Sequence, residues 1–312
     1  MEKNIMLRAG DTVGIVACSN GLKKEQEKQV RELGRCLEQM GLTPVFSNHI
    51  YERCGVFAGT GKERAEELMG FVENPKIRAI FDISGGDLAN QVLEYLDYDK
   101  VKKAGKPFFG YSDLSVLLNG IYQKTGLSTY LYQVRNLVRE DQKEQRRQFF
   151  ETFFEGKNSL CEVKWRWIQG ECMEGTVVGG NIRCLLKLAG TPYFPDCTDK
   201  ILFLESLGGE EAVMTAFFTQ LRQMGVFAKV RGILLGTFTK MQQTERVVSV
   251  EELLRRIVRD PALPIAKTEQ IGHGADAKCL VLGSNQKLQK NSAEKYLTNT
   301  ISYSRLTLVS EN

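Results

Sequence analysis

The feature that most limits the fold is the alternation, through the first half of the chain, of short apolar runs with amphipathic stretches. TVGIVAC (12–18) has the length and β-branched content of a buried strand. KKEQEKQVRELGRCLEQMG follows, with Val30, Leu33, Cys36, Leu37 and Met40 at helical spacing and Gly41 as the stop. TPVFS (43–47) is a second strand, and GKERAEELMGFVENP (61–75) a second helix closed by Pro75. IRAIFDIS, LANQVLEYLD, KPFFGYS and DLSVLLNGIYQKTG continue as strand, helix, strand and helix. Strands that are apolar on both sides belong to a parallel sheet covered by helices on both faces. The first half is therefore an α/β domain.

Residues 140–158 (EDQKEQRRQFFETFFEGKN) form a polar amphipathic helix that bridges to a second unit. CEVKWRWIQGECMEGTVVGG (161–180) reads as β structure with glycine turns. NIRCLLKLAG is a helix ended by Gly190. ILFLES, GILLGTF and LPIAKTEQ are strands separated by helices at 210–224 and 248–260, and residues 277–304 pair as further strands. The expected organisation is an N-terminal domain over 1–150 and a smaller, β-rich mixed domain over 165–312.

Composition narrows the chemistry. No apolar run approaches the ~18 residues of a membrane span, and the start has no secretion-signal pattern, so a cytoplasmic protein is expected. The eight cysteines are scattered without a Cys-x-x-Cys pair, and most sit in apolar surroundings as reduced, core-filling thiols. Net charge is +4, but the basic residues alternate with acids as on solvated helix faces, and no one-sided basic patch suits a nucleic acid. There are only two histidines, His49 and His273. A histidine-rich metal site cannot be built from them, and no metal or cofactor is expected.

Three places can carry chemistry. In KPFFGYSDLSVLLNG a strand ends at Tyr111 and a helix begins near Asp113, with Ser112 at the junction. Open α/β folds place ligands at such a carboxyl end, and the first free helix N–H groups lie beside the hydroxyl. Helix N-capping by Ser112 or Asp113 explains the same residues, and taken alone is the stronger reading. The hydrolase elbow G-x-S-x-G is not matched, because Leu114 stands at its second glycine. A second such turn, SGGDLANQ (84–91), lets the backbone approach a ligand or simply caps the next helix through Asp87; no nucleotide-binding glycine pattern is present.

ILFLES ends an apolar strand on Glu205, whose burial calls for a partner. Orienting an imidazole would supply one, and a capping or surface role would serve equally well. IGHGADAK holds His273 between two glycines, whereas His49 in SNHIYERCG reads as an ordinary loop residue. A serine hydroxyl becomes a nucleophile when a base takes its proton and a carboxylate orients that base. Ser112, His273 and Glu205 are the residues available for those parts.

At this point the chain resembles the serine LD-carboxypeptidases (peptidase family S66), which include the microcin C immunity peptidases. The likeness runs through GDTVGIVACS, GVFAGTGKERAEELMGFVENPKIRAIFDISGG, GYSDLSVLLNGIYQKTGLSTY, VVGGNIRCLLKLAGTPYFPD, ILFLES, GILLGTF and IGHG, in that order. It implies a Rossmann-like N-terminal domain carrying nucleophile Ser112 and a β-rich C-terminal domain carrying Glu205 and His273. It also implies an acyl-enzyme, an oxyanion hole from the backbone of Gly86 and Asp113, a muropeptide substrate and a homodimer.

Departures from the family pattern collect around the pocket. Ser84-Gly85-Gly86-Asp87-Leu88 replaces the Arg-Gly-Gly-Tyr-Gly common among the carboxypeptidases, and with Asn90-Gln91 it is closer to the microcin-immunity branch. Gln133-Val134 replaces a Gly-Pro, and Ser206 follows Glu205 where an acid is common. Asp87 and Gln133 are accordingly expected to touch substrate, and Arg135, Arg183 or a helix N-terminus to bind its terminal carboxylate. The implied reaction is removal of the terminal D-alanine from murein tetrapeptides. An amidase acting on peptidyl- or aminoacyl-nucleotide antibiotics and a non-catalytic muropeptide-binding protein are the alternatives.

Overall fold

The computed structural model describes residues 6–139, 142–243 and 248–290, with the backbone of 297–298. The first half supplies β1 (Thr12–Val16), β2 (Thr43–Phe46), β3 (Ile77–Asp82), β4 (Phe108–Gly110) and β5 (Thr129–Leu131). Its helices are α1 (Glu27–Gln39), α2 (Gly61–Glu73), α3 (Tyr98–Ala104), α4 (Ser115–Thr125) and α5 (Gln142–Phe153). The second half supplies β6 (Lys164–Gln169), β7 (Cys172–Asn181), β8 (Ile201–Ser206), β9 (Gly232–Phe238) and β10 (Ile265–Lys267). Its helices are α6 (Ile182–Leu186), α7 (Glu211–Gln223), α8 (Thr239–Gln243) and α9 (Val250–Val258). The short strands β11 (Leu280–Leu282), β12 (Asn285–Gln289) and β13 (Leu297–Thr298) follow.

Two mixed sheets result, as the α/β, two-domain reading requires. The first runs β11-β5-β4-β3-β1-β2, parallel except where β11 joins β5. The second runs β12-β7-β8-β9-β10-β6-β13, with β7 to β10 parallel and antiparallel strands outside them. Its centre is thus as helix-covered as the first sheet. The strand expectation over 277–304 is met at 280–282, 285–289 and 297–298, and its other parts at 291–296 and 299–304 lie outside the described residues. LANQVLEYLD forms a 3₁₀ segment (Ala89–Tyr95) where the spacing predicts an α-helix. The Leu88 carbonyl that would begin an α-turn instead accepts from Arg64 and from the N–H of Gln91, three residues on.

The chain crosses between the sheets more than once. After β6 to β10 of the second sheet, β11 returns to complete the first by pairing with β5, and β12 then rejoins the second beside β7. Leu114, Leu117 and Leu118 of the α4 region share one buried cluster with Val177, Cys184, Phe203 and Leu280. At this seam Asn119 on α4 pairs in both directions with the backbone of Gly179 on β7. Its Nδ2 donates to the Gly179 carbonyl at 2.7 Å, and its Oδ1 accepts from the Gly179 N–H at 2.9 Å. Gly179 and Gly180 have φ of 115° and 138°, and Cβ atoms there would collide with the Phe203 carbonyl and the Ser115 hydroxyl. The glycines let β7 lie against the start of α4, where Ser115 Oγ accepts from Asn181 N at 2.9 Å.

Asn119→Ala leaves both backbone groups of Gly179 buried and unpaired, at about 1–3 kcal/mol each. A loss of at least about 2 kcal/mol in urea unfolding is expected, and a change within experimental error would show that the seam does not depend on this pairing.

Candidate active site

The site starts from a backbone bend. Tyr111 is extended (φ −148°), and Ser112 then turns to φ 57° before the 3₁₀ turn Ser112–Leu114 leads into α4. A non-glycine residue in the left-handed region costs about 1 kcal/mol or more. Gly110 makes room for the bend: a Cβ there would press on Leu114 Cβ at 2.6 Å. Leu114, at the position where an elbow motif has its second glycine, is therefore accommodated by the first and is fully buried.

The bend aims Ser112 at His273. Ser112 Oγ lies 3.2 Å from His273 Nε2, and His273 Nδ1 lies 2.9 Å from Glu205 Oε2. Glu205 has no exposed surface, and its Oε1 accepts from Asn181 Nδ2 at 3.0 Å. With Nδ1 set against the carboxylate, Nε2 faces the serine hydroxyl. The Tyr111 ring packs edge-on against the imidazole, 4.9 Å between centroids. Burial and the Glu205 charge push its phenol well above the ordinary range, so it stays neutral.

Close backbone approaches carry His273 to this place. The Ile271 carbonyl accepts from Thr237 N on β9 at 2.9 Å. Cβ atoms at Gly236 and Gly272 would strike the Ile271 carbonyl and Thr237. His49 is held elsewhere by Glu67, Arg53 and Glu63 and does not join the site.

A buried polar network fixes the neighbouring loops. Asp113, fully buried, accepts from Ser19 Oγ at 2.6 Å, Ala89 N at 2.9 Å and Lys187 Nζ at 2.6 Å. Asp82 accepts from Cys18 N, Ser84 N and Ser84 Oγ, and its burial raises the carboxyl above the usual range. The buried guanidinium of Arg64 donates to the carbonyls of Cys18, Ser19 and Leu88 and to Gln91 Oε1. The loops after β1, β3 and β4 are thereby tied together.

Gly86 lies in this framework at φ 123°, where a Cβ would run into the Asn20 side chain. Its carbonyl accepts from Arg183 Nη2 at 3.0 Å, and Asp87 N donates to Asn20 Oδ1 at 2.9 Å. The Asp87 carboxylate pairs with Arg183 and Lys187 of the second domain, and the Arg183 hydrogen bond holds it below its usual range. Gln133 is buried and its Oε1 accepts from Arg135 N at 3.2 Å, capping the turn Val134–Val138. Asp87 and Gln133 thus already have partners within the chain.

Sequence reasoning did not single out Asn119, Asn181, Ser19, Asp82, Arg64 or Lys187. Arg64 had a signal: it stands four and eight residues before Leu68 and Val72, on the buried face of α2. Among the described residues no group of three or more His, Cys, Asp or Glu side chains could hold a metal ion, and no helix is long and apolar enough to cross a membrane.

Comparison with known proteins matches residues 13–132 to the LD-carboxypeptidase N-terminal domain and residues 174–288 to the LD-carboxypeptidase C-terminal domain. A probable murein peptide carboxypeptidase of Bacillus subtilis (strain 168) is 27% identical over 301 residues, covering 93% of this chain and 91% of that protein. The microcin C7 self-immunity protein MccF of Escherichia coli is 26% identical over 310 residues, covering 89% of this chain and 90% of its own. The solved structure of MccF in complex with glutamyl sulfamoyl guanosine superposes with a TM-score of 0.85 at 24% identity, over 96% of this chain and 99% of that one.

Ser112→Gly removes the left-handed strain at the bend and should raise unfolding stability by about 1 kcal/mol. A melt showing equal or lower stability would mean that the hydroxyl contact to His273 outweighs the strain.

Proposed function

The chain belongs to the LD-carboxypeptidase family, and on that premise we propose that it is a cytoplasmic, homodimeric serine peptidase. Its reaction is hydrolysis of the amide bond to the terminal D-alanine of murein tetrapeptides. The observation that carries this reading is the continuous contact from Ser112 through His273 to the buried Glu205, at 3.2 and 2.9 Å.

The chemistry follows from that order. His273 Nε2 takes the proton as Ser112 Oγ attacks the amide carbonyl, and Glu205 balances the imidazolium. The N–H groups of Gly86 and Asp113 receive the oxyanion. His273 then gives its proton to the leaving amine, D-alanine departs, and an acyl-serine ester remains. Water, deprotonated by His273, hydrolyses the ester and restores the serine. A carboxylate with no exposed surface suits this cycle, because the imidazolium gains most from a charge that water does not screen.

A second reading is an amidase acting on peptidyl- or aminoacyl-nucleotide conjugates. The Ser84–Leu88 segment favours it, since Asp87 stands where the carboxypeptidases commonly carry Tyr. A catalytically silent muropeptide binder is the reading of another class, and the intact Ser112–His273–Glu205 contact speaks against it.

Incubation with L-Ala-D-Glu-diamino acid-D-Ala tetrapeptide should release one alanine, seen by mass. Ser112→Ala should abolish turnover, and Glu205→Gln should lower kcat by about 10²- to 10⁴-fold. Turnover of an aminoacyl-sulfamoyl adenosine but not of tetrapeptide would establish the amidase. Tight tetrapeptide binding without cleavage of either would establish the binder.

A further inference from the structure

The proposed reaction leaves open what holds the negative end of the leaving residue. Arg183, a candidate by sequence, is bound to the Asp87 carboxylate and the Gly86 carbonyl. Lys187 is bound to Asp113 and Asp87. Arg135 is different. Its guanidinium Nε is buried and has no hydrogen-bond partner, and no carboxylate among the described residues lies within ion-pair distance of it. Its backbone is nevertheless fixed, because Arg135 N donates to Gln133 Oε1 at 3.2 Å.

The place is set by the sheet. Tyr132 N donates to the Gly110 carbonyl at 2.9 Å, so the chain leaving β5 runs beside the Tyr111–Ser112 bend that leaves β4. The order β5-β4-β3 puts the Gln133–Arg135 turn on one side of Ser112 and the Gly86 loop on the other. The charges that bear on Arg135 are Arg139, which opposes it, and Asp82, whose oxygens are already held by Cys18 and Ser84. Burial and Arg139 both hold this guanidinium below its ordinary pKa. A half-buried cation without a counter-ion is costly in the free protein, and an incoming anion removes that cost.

We propose that Arg135 is the specificity residue that receives the free α-carboxylate of the residue leaving from Ser112. The ligand class is a peptide C-terminal carboxylate, for which a planar guanidinium offers two parallel hydrogen bonds. In this arrangement the oxyanion turns toward Gly86 and the carboxylate toward Arg135, on opposite sides of Ser112. A guanidinium that pairs with a free carboxylate favours removal of the last residue over internal cleavage. The inference rests on the peptidase reading above.

The test compares the murein tetrapeptide with its C-terminal amide, using the wild type, Arg135→Gln and Arg135→Lys. Wild type should prefer the acid. Arg135→Gln should lower kcat/KM for the acid by about 10- to 100-fold, the range of a charge-assisted hydrogen bond, and change the amide by less than about threefold. Arg135→Lys keeps the charge, guards against a folding defect in the glutamine variant, and should fall between the two. Equal losses on both substrates, or none on either, overturn the proposal. If wild type cleaves neither, the peptidase reading fails by itself, and binding to the Ser112→Ala protein decides the carboxylate site. A preference for acid over amide that vanishes when Arg135→Gln is added sustains it; no preference overturns it.

Discussion

A carboxylate with no solvent exposure must find its partners inside the protein, and Glu205 does so with two side chains from different places in the second domain, one by a hydrogen bond and one by a charge contact. Asn181, its register partner on β7, donates to one oxygen, and His273, delivered by the loop after β10, meets the other. Removing either leaves an unsatisfied charge among Phe203, Leu204 and Tyr111, all buried. The imidazole is thereby held in one orientation, and its free nitrogen points across the domain seam. The seam has to be fixed as firmly as the triad, because Ser112 comes from the other sheet.

Polar groups inserted into an apolar interface provide that rigidity. Asn119 meets the Gly179 backbone, Ser115 meets Asn181 N, and Lys187 reaches the fully buried Asp113. All three contacts start within seven residues of Ser112, so the nucleophile's own helix is the element clamped to the second domain. Apolar packing alone would tolerate small slides of α4 along β7. Directional hydrogen bonds in a low-dielectric seam do not. Asn181 belongs to both systems, since its side chain serves Glu205 and its backbone serves Ser115.

The strands and long helices were legible because their periodicity is produced by burial itself. From the residues alone Ser112 reads first as a helix cap and Glu205 equally as a capping or surface acid; the family resemblance names them with His273 as a set, and the fold brings the three within 3.2 and 2.9 Å. What escaped depends on distant partners. LVL at 280–282 is too short to reveal that it returns to the first sheet beside β5. Asn119 looks like any polar residue on a helix, and only the positive-φ backbone of Gly179 opposite gives it a function. Lys187 reads as a solvated charge until Asp113 and Asp87 are in place beside it, and Arg64, though in register with Leu68 and Val72, shows its partners only once the carbonyls of Cys18 and Ser19 surround it. The LANQVLEYLD segment has helical spacing, yet a tertiary hydrogen bond to Leu88 overrides that local preference.

The electrostatics around Ser112 then follow from which charges are cancelled. Asp87, Asp113 and Glu205 each lie against a cation or an imidazole, and Asp82 is enclosed by hydrogen-bond donors from Cys18 and Ser84. Arg183 and Lys187 are used in cancelling the first two. Arg64 is held by carbonyls and Gln91, and the turn after β5 carries Arg135, half-buried, and Arg139, exposed, with no described counter-ion. The replacement of Gly-Pro by Gln133-Val134 belongs to the same turn, because Gln133 caps it and so determines where Arg135 begins. The departure from the family pattern and the unpartnered Arg135 Nε therefore lie in one turn.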